Sequence, residues 1–134
     1  MKKHSVTLSL QGWDEKEELG NKGEARLASV ATGFRYSGDI EGESTIRYLL
    51  QYNADGRGDY VGWEQLNGRI GERTGSILLK HVGRFEAHGI EVTIESVADS
   101  GTGELATMSL KSSQSLSGKG PYTVEYLSEN SIKD

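Results

Sequence analysis

The sequence contains no cysteine, a single proline (Pro121) and no long apolar run. Without cysteine there is no disulfide framework and no thiolate metal site. No stretch is apolar enough to span a bilayer as a helix, and Met1-Lys2-Lys3-His4 leads straight into alternating residues rather than a signal peptide. A cytoplasmic location is therefore expected. Basic clustering is missing as well. The 15 Lys and Arg residues are scattered with no run beyond Lys2-Lys3, and the net charge is -5. That balance argues against nucleic acid and against anionic membranes as partners. A sustained 3.6-residue period is also lacking. The best helical candidate, Glu15 to Leu19, is too short to stand alone.

What remains is period two. The 134 residues suit one domain, 1–134, and the 18 glycines follow no three-residue repeat, so they mark turns, bulges and bends of a curved sheet. Alternation predicts strands at Ser5–Gln11, Ala25–Tyr36, Glu41–Tyr52, Tyr60–Ile70, Gly75–Phe85, Ile90–Val97, Thr107–Leu116 and Tyr122–Leu127. Asp14 to Glu24 reads as a charged loop, Glu104 to Ala106 as a short segment, and the polar tail 128–134 as frayed. About eight antiparallel strands on short turns remove their edges by closing into an up-and-down β-barrel, with a sandwich as the alternative. The expected fold class is all-β.

One turn organises the middle of the chain. Folding about Glu72-Arg73 pairs Ile70 with Gly75, Gly68 with Ile77, Leu66 with Leu79, Gly62 with Gly83 and Tyr60 with Phe85, all apolar or glycine. The exception on that face is Glu64 opposite His81. Extending the fold to the neighbouring strands pairs Tyr48 with Glu64 and His81 with Ile94, giving an inner row Ile94, His81, Glu64, Tyr48. A slip of two residues would change these partners but keep the face, whereas a slip of one would reverse it. An acid beside a base in an apolar surrounding can hold or pass one proton near neutral pH. It can equally be a polar pair that satisfies itself by hydrogen bonding. Glu64, His81, Tyr48, Tyr60 and Phe85 are the candidate ligand-binding residues, on condition that the barrel keeps a cavity of roughly 300 Å³ or more. The aromatic residues Tyr36, Tyr48, Tyr52, Tyr60 and Phe85 have core packing as the alternative to a ligand cage. On the opposite face, Val61, Trp63 and Val82 form an apolar patch among charges, and such patches mark subunit contacts, so a homo-oligomer is expected.

Several motifs lack the context their chemistry needs. Gly101-Thr102-Gly103-Glu104-Leu105-Ala106 matches G-x-G-x-x-A, but Ser/Thr-rich alternation follows where a dinucleotide site needs a helix. Asn53, Asp55, Gly58 and Glu64 have a calcium-loop spacing, but Arg57 stands at position five and the flanks read as strands. Arg57-Gly58-Asp59 occurs without an export signal. His4, His81 and His88 lack metal-ligand spacing, and no nucleophilic serine elbow is present. No metal and no cofactor are expected.

Ser37-Gly38-Asp39-Ile40-Glu41-Gly42-Glu43-Ser44 and Ser100-Gly101-Thr102-Gly103-Glu104-Leu105-Ala106, with Trp13-Asp14-Glu15, Gly62-Trp63-Glu64 and Lys80-His81, resemble in order and spacing an uncharacterised bacterial domain family. That family is grouped with the allene oxide cyclase-like barrels, whose fold is related to that of the plant dirigent proteins. The resemblance spans Trp13 to Tyr126 and implies an eight-stranded antiparallel barrel with a central cavity. It implies no activity. In the plant cyclases such a cavity binds an oxidised fatty acid and steers its cyclisation, but the matched segments here are loops and hairpins, not a catalytic set. The residues after Ala106 (Thr107-Met108-Ser109-Leu110-Lys111) lack the glycine usual in that family, which puts the loop-to-strand bend in doubt. Three functions follow as expectations: binding of a small, mostly apolar ligand inside the barrel; an isomerase or cyclase using Glu64 or His81 in the same cavity; or a filled barrel acting in assembly.

Overall fold

Period-two alternation produces strands wherever the sequence carries it. The computed structural model describes residues 1–131, in ten strands and one 3-10 turn. The strands are β1 (Lys2–Leu10), β2 (Asp14–Leu19), β3 (Arg26–Thr32), β4 (Phe34–Gly38), β5 (Ile40–Tyr52), β6 (Gly58–Ile70), β7 (Arg73–Glu86), β8 (Gly89–Ser96), β9 (Met108–Leu116) and β10 (Tyr122–Asn130). β1 and β2 form one interrupted strand, as do β3 and β4. Both interruptions fall at the same level, where the Gln11 amide donates to the Gly33 carbonyl and the Thr32 hydroxyl to the Gly12 carbonyl. The pairing then runs β1/β2, β3/β4, β5, β6, β7, β8, β9, β10 and back to β1, antiparallel throughout. This is a closed eight-stranded up-and-down barrel in which each strand neighbours the next in sequence.

Three expectations are corrected. Asp14 to Leu19, expected within a loop, is a strand with every residue exposed. Its backbone pairs with β3 alone among the described strands, it has no core face, and so it carries no alternation that could announce it. Ala25 to Tyr36, expected as one strand, is broken at Gly33. β10 continues through Ser128 to Asn130, expected as part of the frayed tail. Those residues pair with Leu110 to Met108, and Ser128 is 3% exposed. The rest of that tail, 132–134, lies outside the described residues.

The registers follow the sequence reading closely. β7 and β8 pair as expected, with Phe85 opposite Ile90 and His81 opposite Ile94. β6 and β7 keep the expected face but slip by two: Tyr60 faces Gly83, Gly62 faces His81, Glu64 faces Leu79 and Gly58 faces Phe85. β5 and β6 slip likewise, with Tyr48 opposite Gly62 and Ile46 opposite Glu64. The slip places an aromatic ring over a glycine at each step. A Cβ on Gly62 would lie 2.3 Å from the Tyr48 ring, one on Gly83 2.7 Å from Tyr60, and one on Gly58 3.0 Å from Phe85. The expected register would have set Tyr60 against Phe85 and Gly62 against Gly83, crowding two rings and leaving a gap beside them.

The two ends of the barrel differ. Ile40, Leu66, Ile70, Ile77 and Leu79 fill one half, each 2% exposed or less. The 3-10 turn Gly103–Leu105 closes that end with Leu105 fully buried. Its loop is clipped to the start of β7. The Thr102 amide donates to the Ser76 carbonyl and the Ser76 amide to the Thr102 hydroxyl, and the Glu104 carboxylate accepts from the Thr74 amide and hydroxyl. The Gly38-Asp39 corner is tied to β1 in the same way, the Ser5 amide donating to the Asp39 carboxylate at 2.8 Å. Two of the segments that carried the family resemblance, residues 37–44 and 100–106, are therefore fastenings of the barrel. Among the described residues no helix is long and apolar enough to cross a membrane.

Candidate functional site

Halfway along the barrel the apolar filling gives way to a polar layer. β6 delivers Glu64 and β7 delivers His81 to the interior, 0% and 2% exposed. Their Cα atoms are not direct cross-strand partners, as the sequence reading had them. The slip of two makes them diagonal neighbours, and the side chains still meet, His81 Nε2 to Glu64 Oε1 at 2.7 Å. The second carboxylate oxygen accepts from the Tyr36 hydroxyl of β4 at 2.7 Å. With its one proton committed there, Tyr36 must accept from Tyr126 of β10 across their 3.2 Å contact. On β9 the Gln114 amide donates to Ser112 Oγ at 3.0 Å. No fully buried side-chain nitrogen or oxygen among the described residues lacks a hydrogen-bond partner. Burial, and after it the Glu64 charge, push the Tyr36 and Tyr126 hydroxyls well above the ordinary tyrosine range.

An aromatic layer lies above this one. Tyr48 stands edge-on to His81, ring centroids 5.5 Å apart, and to Tyr60 at 5.2 Å. Tyr60 continues to Phe85, which meets Tyr52 at 5.1 Å. Above them the barrel holds a cavity of about 320 Å³, walled by Leu10, Trp13, Phe34, Tyr48, Leu50, Tyr52, Tyr60, Phe85, Ile90, Val92, Leu116 and Tyr122, with Gly56 and Glu86 at its edge. Seven of the ten aromatic side chains in the sequence line this one space. At its edge the indole of Trp13 donates to Glu15 Oε1 at 3.0 Å and the Tyr52 hydroxyl to Glu15 Oε2 at 2.8 Å. The Arg26 guanidinium lies 4.2 Å from the centroid of the Tyr52 ring. Burial, then the bond to Glu15, raise the Tyr52 hydroxyl to about 12.

Of the residues singled out from sequence, Tyr48, Tyr60 and Phe85 line the cavity, while Glu64 and His81 sit one layer deeper. Tyr48 is the member of both layers. Tyr52, weighed as a cage aromatic, also lines the cavity, and sequence reasoning missed Trp13, Phe34 and Tyr122. Trp13 follows Gly12 at the start of a charged segment, where a large aromatic with no alternating neighbours was the available signal. Outside the barrel, Leu49, Val61 and Val82 align across β5, β6 and β7 beside Trp63, whose ring is covered by Lys80 at 5.6 Å. The patch expected from sequence is thus contiguous. The Asn53–Asp59 loop is a hairpin connection whose Asp55 carboxylate accepts from the Arg57 side chain at 2.9 Å.

Residues 5–127 match the family described as Protein of unknown function (DUF3224). Among solved structures, the chain is similar to a crystal structure of a protein of unknown function from the DUF3224 family of Shewanella oneidensis MR-1. The identity is 25% and the TM-score 0.73, over 94% of this chain and 93% of that one. No curated protein matches it.

Proposed function

Because the chain belongs to the DUF3224 family, whose function is unknown, we propose a reading from geometry: the barrel binds one small, mostly apolar molecule in its aromatic-lined cavity. The observation that carries this reading is the cavity itself. Small barrels can be filled by their own side chains or hold one ligand, and this one is filled at one end only. At about 320 Å³, bounded by rings and aliphatic side chains, the space is of the size and character of small-molecule sites. An isomerase acting through Glu64 or His81 would need one of them to reach the bound molecule. Both lie below Tyr48, and both Glu64 oxygens are engaged by Tyr36 and His81. Binding is therefore the better-supported reading.

Native mass spectrometry of protein purified without denaturation is expected to show an added mass of one small molecule, and it counts subunits at the same time. The neutral fluorophore 1-aminoanthracene is expected to enter the purified barrel with an enhanced, blue-shifted emission. Leu116→Trp, which fills the cavity from its wall, is expected to abolish that signal while leaving the fold intact. A probe response that survives Leu116→Trp in a folded variant would place binding elsewhere and end the proposal.

A further inference from the structure

The deep wall of the cavity also selects for charge and polarity, and this inference rests on the ligand-binding reading above. Tyr48 and Tyr60 line the cavity, yet neither hydroxyl is hydrogen-bonded to any described residue. Tyr48 is 9% exposed. No fully buried polar side-chain atom among the described residues is without a partner, so both hydroxyls keep some access, and the cavity is the space that both residues line. Burial, and for Tyr48 also the Glu64 charge, push both hydroxyls up, so they keep their protons and are available as donors. Among the described residues no cation lines the space. Among the described residues Glu86 is the only charged side chain along it, Glu15 adds a second carboxylate at the Tyr52 edge, and Arg26 is stacked on Tyr52. A ligand carboxylate would enter next to these acids with nothing to neutralise it, a costly arrangement in a dry site. An ammonium group would gain ring faces and hydroxyl oxygens that can accept from it, but the Glu64 carboxylate beneath Tyr48 is already engaged by Tyr36 and His81, so at depth the charge would be buried without a free counterion.

We infer that the cavity takes an uncharged, flat ring compound carrying one acceptor oxygen, a carbonyl or ether, which the Tyr48 and Tyr60 hydroxyls recognise. The flat body matches the walls. Tyr48 and Tyr60 are held by Gly62 and Gly83 beneath their rings, so their faces and hydroxyls are pre-positioned rather than recruited on binding.

Three probes with one ring system and different head groups test this by isothermal titration calorimetry: 2-acetylnaphthalene, 2-naphthoate and 2-naphthylmethylammonium. The neutral ketone is expected to bind at least ~10-fold more tightly than either ion. Tyr48→Phe and Tyr60→Phe keep the rings and are each expected to weaken the ketone roughly 2- to 12-fold, the range of one neutral hydrogen bond, while leaving circular dichroism unchanged. Binding of the carboxylate or the ammonium as tightly as the ketone overturns the inference, as does a Tyr48→Phe/Tyr60→Phe double variant that binds the ketone like the wild type. If all three probes bind alike, the cavity still holds ligands and only the selectivity argument fails. If none binds to the folded protein, the ligand-binding reading fails with it.

Discussion

Glu64 is fully buried and hydrogen-bonded to two partners, the Tyr36 hydroxyl, which donates to it, and the His81 ring. Taking away one member of such a set leaves the others stranded away from water. Glu64→Ala is therefore expected to cost about 3–5 kcal/mol of stability. Glu64→Gln keeps one acceptor oxygen and should cost less. Urea denaturation of the two variants checks the order, and equal midpoints would show that water replaces the carboxylate without loss. A second buried imidazole behaves differently. His4 Nε2 meets Ser128 Oγ at 2.7 Å near the plugged end, and its pKa is lowered from 6.5 by burial first and by Lys2 second, with Asp39 opposing. The folded state then binds this proton less readily than the unfolded chain, so stability falls as pH drops through and below 6.5. The stability lost between pH 7.5 and pH 5 should be smaller in His4→Gln than in the wild type. An identical loss in both would remove His4 as the cause.

At the scale of strands, alternation settled the faces and left the pairings open. Glu64, His81 and Tyr48 all point inward as their parity requires, and no even slip could have changed that. The choice between registers was made by volume. Glycine and aromatic positions look equivalent when both are counted as apolar, so folding about the Glu72-Arg73 turn matched Gly62 to Gly83 and Tyr60 to Phe85. The concave interior instead needs a small residue under each ring, and β6 supplies Gly62 beneath Tyr48 while β7 supplies Gly83 beneath Tyr60. The same logic explains what could not be read. β2 buries nothing, so its charged residues gave no alternation, and Trp13 reaches the cavity only because the chain breaks between β1 and β2. The Glu64–His81 meeting was legible because the two residues form the one acid–base pair on an otherwise apolar face. The cavity was not, because its walls come from strands distant in sequence. Gly62→Ala and Gly83→Ala test the ring-on-glycine packing. Each should destabilise by about 1–3 kcal/mol through overpacking and displace its tyrosine, seen as a changed near-ultraviolet circular dichroism. An unaltered spectrum with full stability would show that the rings have room to move aside.

The molecule as a whole is a closed wall around protonated tyrosines, and this gives it a direction in pH. Tyr36, Tyr48, Tyr60 and Tyr126 are all pushed well up, chiefly by burial, and Tyr52 to about 12. Each therefore holds its proton more tightly in the folded barrel than in the unfolded chain, whose tyrosines titrate near 10. Groups of this kind contribute stability in full below pH 10, and the contribution is lost as pH rises through 10 toward their folded values. Five groups acting together should make alkaline unfolding steep. Absorbance at 295 nm, which reports tyrosinate, is expected to stay low at pH 10 in a folded Tyr122→Phe variant, which keeps just these five tyrosines, and to rise together with the loss of far-ultraviolet circular dichroism. Tyr36→Phe removes one of these protons and should make the fall of melting temperature above pH 10 shallower. A ligand that covers Tyr48 and Tyr60 should delay the absorbance rise further, and this links the pH response to the cavity. Tyrosinate appearing near pH 10 while the circular dichroism is still native would mean that water reaches the rings in the intact barrel. In that case the dry, donor-lined wall on which the ligand argument stands would not exist.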